Sequence, residues 1–277
     1  MRFKLPKPAR SRYNAAKYRL REWMASIQTS PVFVLGNQKS GTTAIAALLA
    51  KATGQTATLD FFFRRDPWEV QRYHEGALGL KAICQSNKLE FSRKIIKDPD
   101  LTFFATDLVE EFPDAKFLFI VRNPYQNIRS ILNRWSIPGS PGGLTPEIWR
   151  SIEASGSWKI LFEGMHPPTS GSNHVATLAN RWRLAAQAYH EIKPRCYLLR
   201  YEDFCERKES VILETARQLE LAVHHDIRED LDRSFQPKGQ DASRPTVDFF
   251  SHGNLQTITR SCWPAANEFD YTPVVLP

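Results

Sequence analysis

Pro31-Val-Phe-Val-Leu-Gly36-Asn37-Gln38-Lys39-Ser40-Gly41-Thr42-Thr43 is the stretch on which the fold turns. Its apolar run, Val32 to Leu35, is too short for a helix and lies between a proline and a glycine, so Pro31–Leu35 predicts a buried strand. A loop bounded by Gly36 and Gly41 follows, and the Ala/Leu-rich run Thr42–Ala52 predicts a helix. A strand that passes through such a loop into a helix N-terminus is an anion cradle. The unpaired N–H groups of the first turn converge on one spot, and glycine lets the backbone come close to it. Lys39 adds a positive charge, and Ser40, Thr42 and Thr43 add hydroxyl donors.

The spacing nearly matches the nucleoside-triphosphate loop G-x-x-x-x-G-K-[ST], but Thr42 stands where the lysine belongs and Lys39 lies inside the loop. A kinase or ATPase would also end a neighbouring apolar strand in an aspartate to hold Mg²⁺. The clearest such strand, Lys116–Val121 (KFLFIV), runs into Arg122 instead. Both departures point away from a magnesium-bound triphosphate, so a P-loop nucleotide-dependent kinase and a non-catalytic nucleotide-binding relative stand as alternatives rather than as the leading reading.

Outward from the loop, short apolar runs alternate with helical stretches. Thr56–Phe62, Arg93–Ile96, Lys116–Val121 and Tyr197–Arg200 predict further strands. Pro124 opens a helix in the favoured first-turn position, and Ser210–Leu219 predicts another. This alternation predicts a three-layer α/β domain over residues 31–277, a central parallel sheet flanked by helices. Two segments break the rhythm. Residues 61–92 are aromatic and charged, and residues 136–173 are rich in Pro, Gly and Ser around Trp149 and Trp158, which predicts insertions that build a pocket or lid. No internal repeat occurs.

The charge argues against a nucleic-acid groove. Of the net +7, all resides in residues 1–30, which hold eight basic residues against Glu22; the other 247 residues hold 29 basic and 29 acidic ones. The excess belongs to a basic N-terminal arm. Within it Tyr13, Ala16, Leu20, Trp23, Met24 and Ile27 recur at helical spacing. That pattern predicts a helix over Tyr13–Ile27, packed on the body or, as the sharper alternative, touching a membrane surface or an acidic substrate. Cys84, Cys196, Cys205 and Cys262 are far apart and unpatterned, so neither a disulfide framework nor a metal site is expected. With no long apolar run and no signal-like start, the expected location is cytoplasmic, with the arm a candidate for peripheral membrane contact.

The motifs taken together resemble the sulfotransferases that use 3′-phosphoadenosine 5′-phosphosulfate (PAPS). Asn37-Gln38-Lys39-Ser40-Gly41-Thr42-Thr43 is similar to that family's P-K-S-G-T-T element, with Gln38 in place of proline. Phe117-Leu-Phe-Ile-Val121-Arg122-Asn123-Pro124, with Ser130 eight residues after the arginine, resembles its second element; Leu199-Arg200-Tyr201-Glu202-Asp203-Phe204 resembles its R-Y-E-D-[LF]. The resemblance spans roughly residues 31–271. It implies a P-loop-like sulfotransferase architecture and PAPS as donor, with the bisphosphate PAP as product and no metal required. Gln38, Lys39, Ser40, Gly41, Thr42 and Thr43 would bind the 5′-phosphosulfate. Arg122 and Ser130 would hold the 3′-phosphate, and Tyr201 would lie near the nucleotide.

For catalysis the resemblance implies Lys39 beside the leaving oxygen and Lys97 near the reacting group. The histidine that cytosolic small-molecule members carry after that lysine is absent; Asp98 and Pro99 stand there. Carbohydrate-type members use a glutamate in E-x-x-F, which Asp60-Phe-Phe-Phe63 resembles, so Asp60 is the favoured general base, with His74, Glu75 and Asp98 as alternatives. The acceptor expected is a saccharide, glycolipid or small alcohol.

Overall fold

The computed structural model describes residues 17–62, 66–140, 142–169, 171–233 and 245–274. Five parallel strands, β1 (Val32–Leu35), β2 (Ala57–Leu59), β3 (Ile95–Lys97), β4 (Lys116–Val121) and β5 (Cys196–Arg200), lie in the order β2-β3-β1-β4-β5. In-register pairs include Phe33 with Ile96 and with Phe117, and Val121 with Arg200. β1 is buried along its whole length. That explains its continuous apolar sequence, because a parallel sheet covered by helices on both faces has no polar side.

Alternate residues feed two cores. Phe33, Leu35, Phe117, Phe119 and Val121 point into the larger one. It is closed by α2 (Pro124–Arg134), α3 (His174–Ile192) and α6 (His252–Cys262). Val32, Val34, Leu118 and Ile120 point into the smaller one. There α1 (Thr42–Thr53), α4 (Tyr201–Glu206) and α5 (Lys208–Gln218) supply Ile45, Leu49, Phe204 and Ile212. Each fully buried side chain of this size contributes about 1.5–3 kcal/mol.

Three expectations are corrected. The strand expected over Thr56–Phe62 is only Ala57–Leu59, because Asp60 turns to φ 54° and sends Phe61 and Phe62 off the sheet into the larger core. The strand expected over Arg93–Ile96 is Ile95–Lys97, starting where pairing to β1 begins. The N-terminal helix covers residues 17–24 among the described residues; Tyr13 and Ala16 lie outside them. Its apolar side chains do not pack on the body, since Leu20, Trp23 and Met24 are 56%, 80% and 68% exposed.

Both segments that break the rhythm contribute to the larger core. Phe61, Phe62, Val70, Leu80, Ile83 and Phe91 are buried from the first, and Ile152, Ile160, Leu161 and Phe162 from the second.

Candidate active site

Every strand hands the chain to a residue singled out above. β1 leads into the Gly36–Gly41 loop, β2 into Asp60, β3 ends on Lys97, and β4 and β5 run into Arg122 and Tyr201. All five lie at the carboxyl edge of the sheet, where open parallel sheets bind ligands. The loop passes close beneath its neighbours. A side chain on Gly36 (φ 137°) would sit 2.3 Å from the Ile120 carbonyl oxygen, and one on Gly41 (φ 86°) 2.3 Å from the Tyr201 ring. Only glycine fits either place. Gly41 opens α1, so the helix dipole and the N–H groups of its first turn face the loop's concavity.

A buried clamp sets the loop's shape. Arg181 on α3 donates from Nε and Nη2 to Gln38 Oε1 at 3.0 and 2.7 Å, and from Nη2 to Asp100 Oδ1 at 2.8 Å. Gln38 Nε2 donates to the same Asp100 oxygen at 2.8 Å. The Gln38 side chain is therefore occupied by the clamp, which rigidifies a position that a proline ring would otherwise stiffen. Asn127 Nδ2 donates to the Gln38 carbonyl and to Ser40 Oγ, and Asn37 Nδ2 donates to Asn127 Oδ1. Arg122 Nη1 donates to the Lys39 carbonyl at 2.9 Å. Held this way, Lys39 adopts φ 66°, a conformation costing a non-glycine residue about 1–3 kcal/mol and found where function requires it.

Burial, then the nearby charges of Arg122, Arg134 and Lys97, lowers the Lys39 ammonium to about 8. Arg122 itself is lowered by burial, opposed by Tyr201 and Glu202. Its guanidinium carbon lies 4.6 Å from the centre of the Tyr201 ring. The backbone around Arg122 is fixed by Trp182 Nε1, which donates to the Arg122 carbonyl at 2.9 Å, and by Glu202, which accepts from the Asn123 N–H at 3.0 Å. Tyr271 Oη donates to the other Glu202 oxygen at 2.7 Å. Ser130 is half-buried on α2.

Asp60, Lys97 and Thr43 form one constellation. Lys97 Nζ, only 1% exposed, is hydrogen-bonded to Asp60 Oδ1 and donates to Thr43 Oγ1 at 2.8 Å. Thr43 Oγ1 donates to Asp60 Oδ2 at 3.2 Å. The Asp60 side chain is partly open to solvent.

The other base candidates stand elsewhere. Asp98 is buried, and its oxygens accept from the Phe62 and Asp100 N–H groups at 3.1 and 3.0 Å, so it shapes the turn after β3; burial raises its carboxyl well above the usual range. Glu75 is exposed and accepts from Gln71. His74 packs against His166 and Phe104 in an aromatic layer with Phe62, Tyr73 and Phe103. Burial first, then Arg181, lowers His74 to about 4. His166 Nε2 lies 3.2 Å from the Asp100 carbonyl oxygen, joining this layer to the clamp.

Arg181, Asp100, Asn127 and Glu202 were not singled out from the sequence. A signal existed for two of them. Arg181 lies three residues after Leu178 and four before Ala185, on the apolar stripe of α3, and Asn127 lies four before Ile131 on that of α2. A polar residue on a buried stripe needs a partner.

Fold and site together define a parallel α/β protein with a phosphate-type loop at the carboxyl edge of its sheet. Within that class, the chain has the sulfotransferase fold. Sulfotransferase STF9 from Mycobacterium avium aligns over 95% of this chain and 82% of its own at 12% identity, with a TM-score of 0.52. STF1 from Mycobacterium tuberculosis aligns over 90% and 80% at 11% identity, TM-score 0.51. Mouse SULT7A1, complexed with PAP, aligns over 90% and 91% at 13% identity, TM-score 0.50. No protein-family model matches the chain, and no curated protein matches its sequence. Among the described residues no group of three or more His, Cys, Asp or Glu side chains is placed to hold a metal ion, and no helix is long and apolar enough to cross a membrane.

Proposed function

We propose that the protein moves a sulfuryl group from PAPS to a hydroxyl or amine of an acceptor. The observation that carries this reading is the pairing of two cationic centres across one loop. Lys39 sits at the cradle, and Arg122 bonds to its carbonyl while lying against Tyr201. A donor phosphorylated at both its 3′ and 5′ ends suits such a pair, with the 5′-phosphosulfate on the loop formed by Gln38 to Thr43 and the 3′-phosphate on Arg122 and Ser130. Arginine's planar fork suits a terminal phosphate because it bonds two oxygens.

In this reading the acceptor oxygen forms a bond to sulfur as the bond from sulfur to the bridging oxygen breaks. The electron pair leaves with PAP, and the acceptor proton passes to Asp60. The Lys39 ammonium stabilises charge on the leaving oxygen. Lys97 and Thr43 orient the Asp60 carboxylate. A saccharide, glycolipid or small alcohol is the proposed acceptor class, because the base is a carboxylate and aromatic residues stand behind it. The proposed location is cytoplasmic.

Calorimetric titration with adenosine 3′,5′-bisphosphate in the presence of EDTA tests the reading. Binding without metal is expected, and adenosine 5′-monophosphate should bind at least about tenfold more weakly for want of one charge-assisted contact. Equal affinity for the two nucleotides, or no heat with either, overturns it.

A further inference from the structure

The helix over residues 17–24 presents its apolar face outward, the reverse of a helix that packs on its own protein. Tyr18 and Glu22 are half-buried, and Tyr18 Oη donates to Glu90 Oε1 at 2.6 Å. The chain after the helix is fastened as well: Ile27 packs on the larger core and the Gln28 N–H bonds the Phe91 carbonyl at 2.8 Å. At about 100° per residue, Leu20, Trp23 and Met24 fall within one arc of about 100°, opposite Tyr18 and Glu22. All three are more than half exposed, Trp23 by 80%. Arg19 borders the arc on one side and Lys17 on the other, both exposed. The helix is thus bolted down by its polar side and shows solvent a tryptophan-centred apolar strip edged with cations.

We propose that this strip seats the protein on an anionic lipid surface. The charge distribution selects that occupant. Residues 1–30 carry the entire net +7 of the chain, and the remainder sums to zero. A second copy brought face to face on this strip would set two such arms against each other, whereas an anionic headgroup layer attracts the arm, Arg19 and Lys17 beside the strip included. Tryptophan belongs at the headgroup level, and the long Lys and Arg side chains bury their stems while their charges reach the phosphates. The arm enters the sheet at the amino end of β1, whereas the Gly36–Gly41 loop leaves its carboxyl end. This inference goes beyond the sulfotransferase reading and does not depend on it.

The test is co-sedimentation of the full chain with phosphatidylcholine vesicles and with vesicles in which a third of the lipid is phosphatidylglycerol. Partitioning at least about tenfold stronger onto the anionic vesicles is expected, declining as salt is raised. The triple variant L20S/W23S/M24S should lose about tenfold while its denaturant midpoint stays at the wild-type value, which reports an intact fold. Equal partitioning onto the two vesicle types overturns the proposal, as does a triple variant that partitions like wild type. A concentration-dependent dimer in sedimentation velocity that the triple variant abolishes would assign the strip to a second copy instead.

Discussion

Around the Gly36–Gly41 loop, polar groups meet polar groups at hydrogen-bond distance: Arg181, Asp100, Gln38, Asn127 and Arg122 form one connected set. Beyond Asp60 the chain builds differently: Phe62 and Tyr73 stack on Phe104, and Phe103 and Phe104 meet the His166 and His74 rings edge-on or tilted. The first region is fixed by direction, since each bond tolerates little misalignment; the second is fixed by volume, which many side-chain combinations satisfy. An anion donor needs the first kind of precision and an acceptor pocket can be built from the second. A sulfuryl transferase would keep one region constant and vary the other.

The comparison can be broken most severely at Arg181. Arg181→Met should lower unfolding stability by about 3–5 kcal/mol, because the buried Asp100 carboxylate is left without its cation. Denaturant titration checks it, and a midpoint unchanged from wild type would show that direction is not what fixes the loop. Lys39→Ala should slow transfer by about 10²–10³-fold while adenosine 3′,5′-bisphosphate affinity moves much less, as expected for charge stabilised mainly in the transition state. Asp60→Asn should cost about 10²-fold in turnover with donor affinity intact; an unchanged rate would remove Asp60 from proton transfer. Arg122→Ala should weaken bisphosphate binding by about 10- to 100-fold, read by calorimetry.

The smallest effect is a pH dependence. Lys39 is held near 8 in the ligand-free protein, below the ordinary lysine value. The protonated form attracts the anion, so affinity is full below that value and is lost as pH rises through it. Between pH 7 and pH 9 binding should weaken by about three- to tenfold, and Lys39→Met should flatten the profile.

Much of the polar region was legible in the sequence because its chemistry is local. Gly36, Lys39, Gly41 and Thr42 lie within seven consecutive positions, and the strand KFLFIV runs straight into the candidate residue Arg122. The clamp was not legible. Gln38, Asp100 and Arg181 lie on the loop, the turn after β3 and α3, and only the fold brings them within 3 Å of one another. The aromatic layer was visible as composition and invisible as arrangement, for the same reason. At the N-terminus the helical spacing marked one apolar face and left two orientations open, inward or toward a surface, since periodicity shows that one face is apolar but not which way the face looks.

The depressed ammonium of Lys39 has a practical consequence for chemical labelling. At mildly alkaline pH about half of its amine is unprotonated and nucleophilic, against well under 1% for a lysine near 10.5. Lys97, sealed beneath Asp60, is out of a reagent's reach. A small acylating agent should therefore mark residue 39 ahead of ordinary lysine side chains, and an occupant of the loop should shield it.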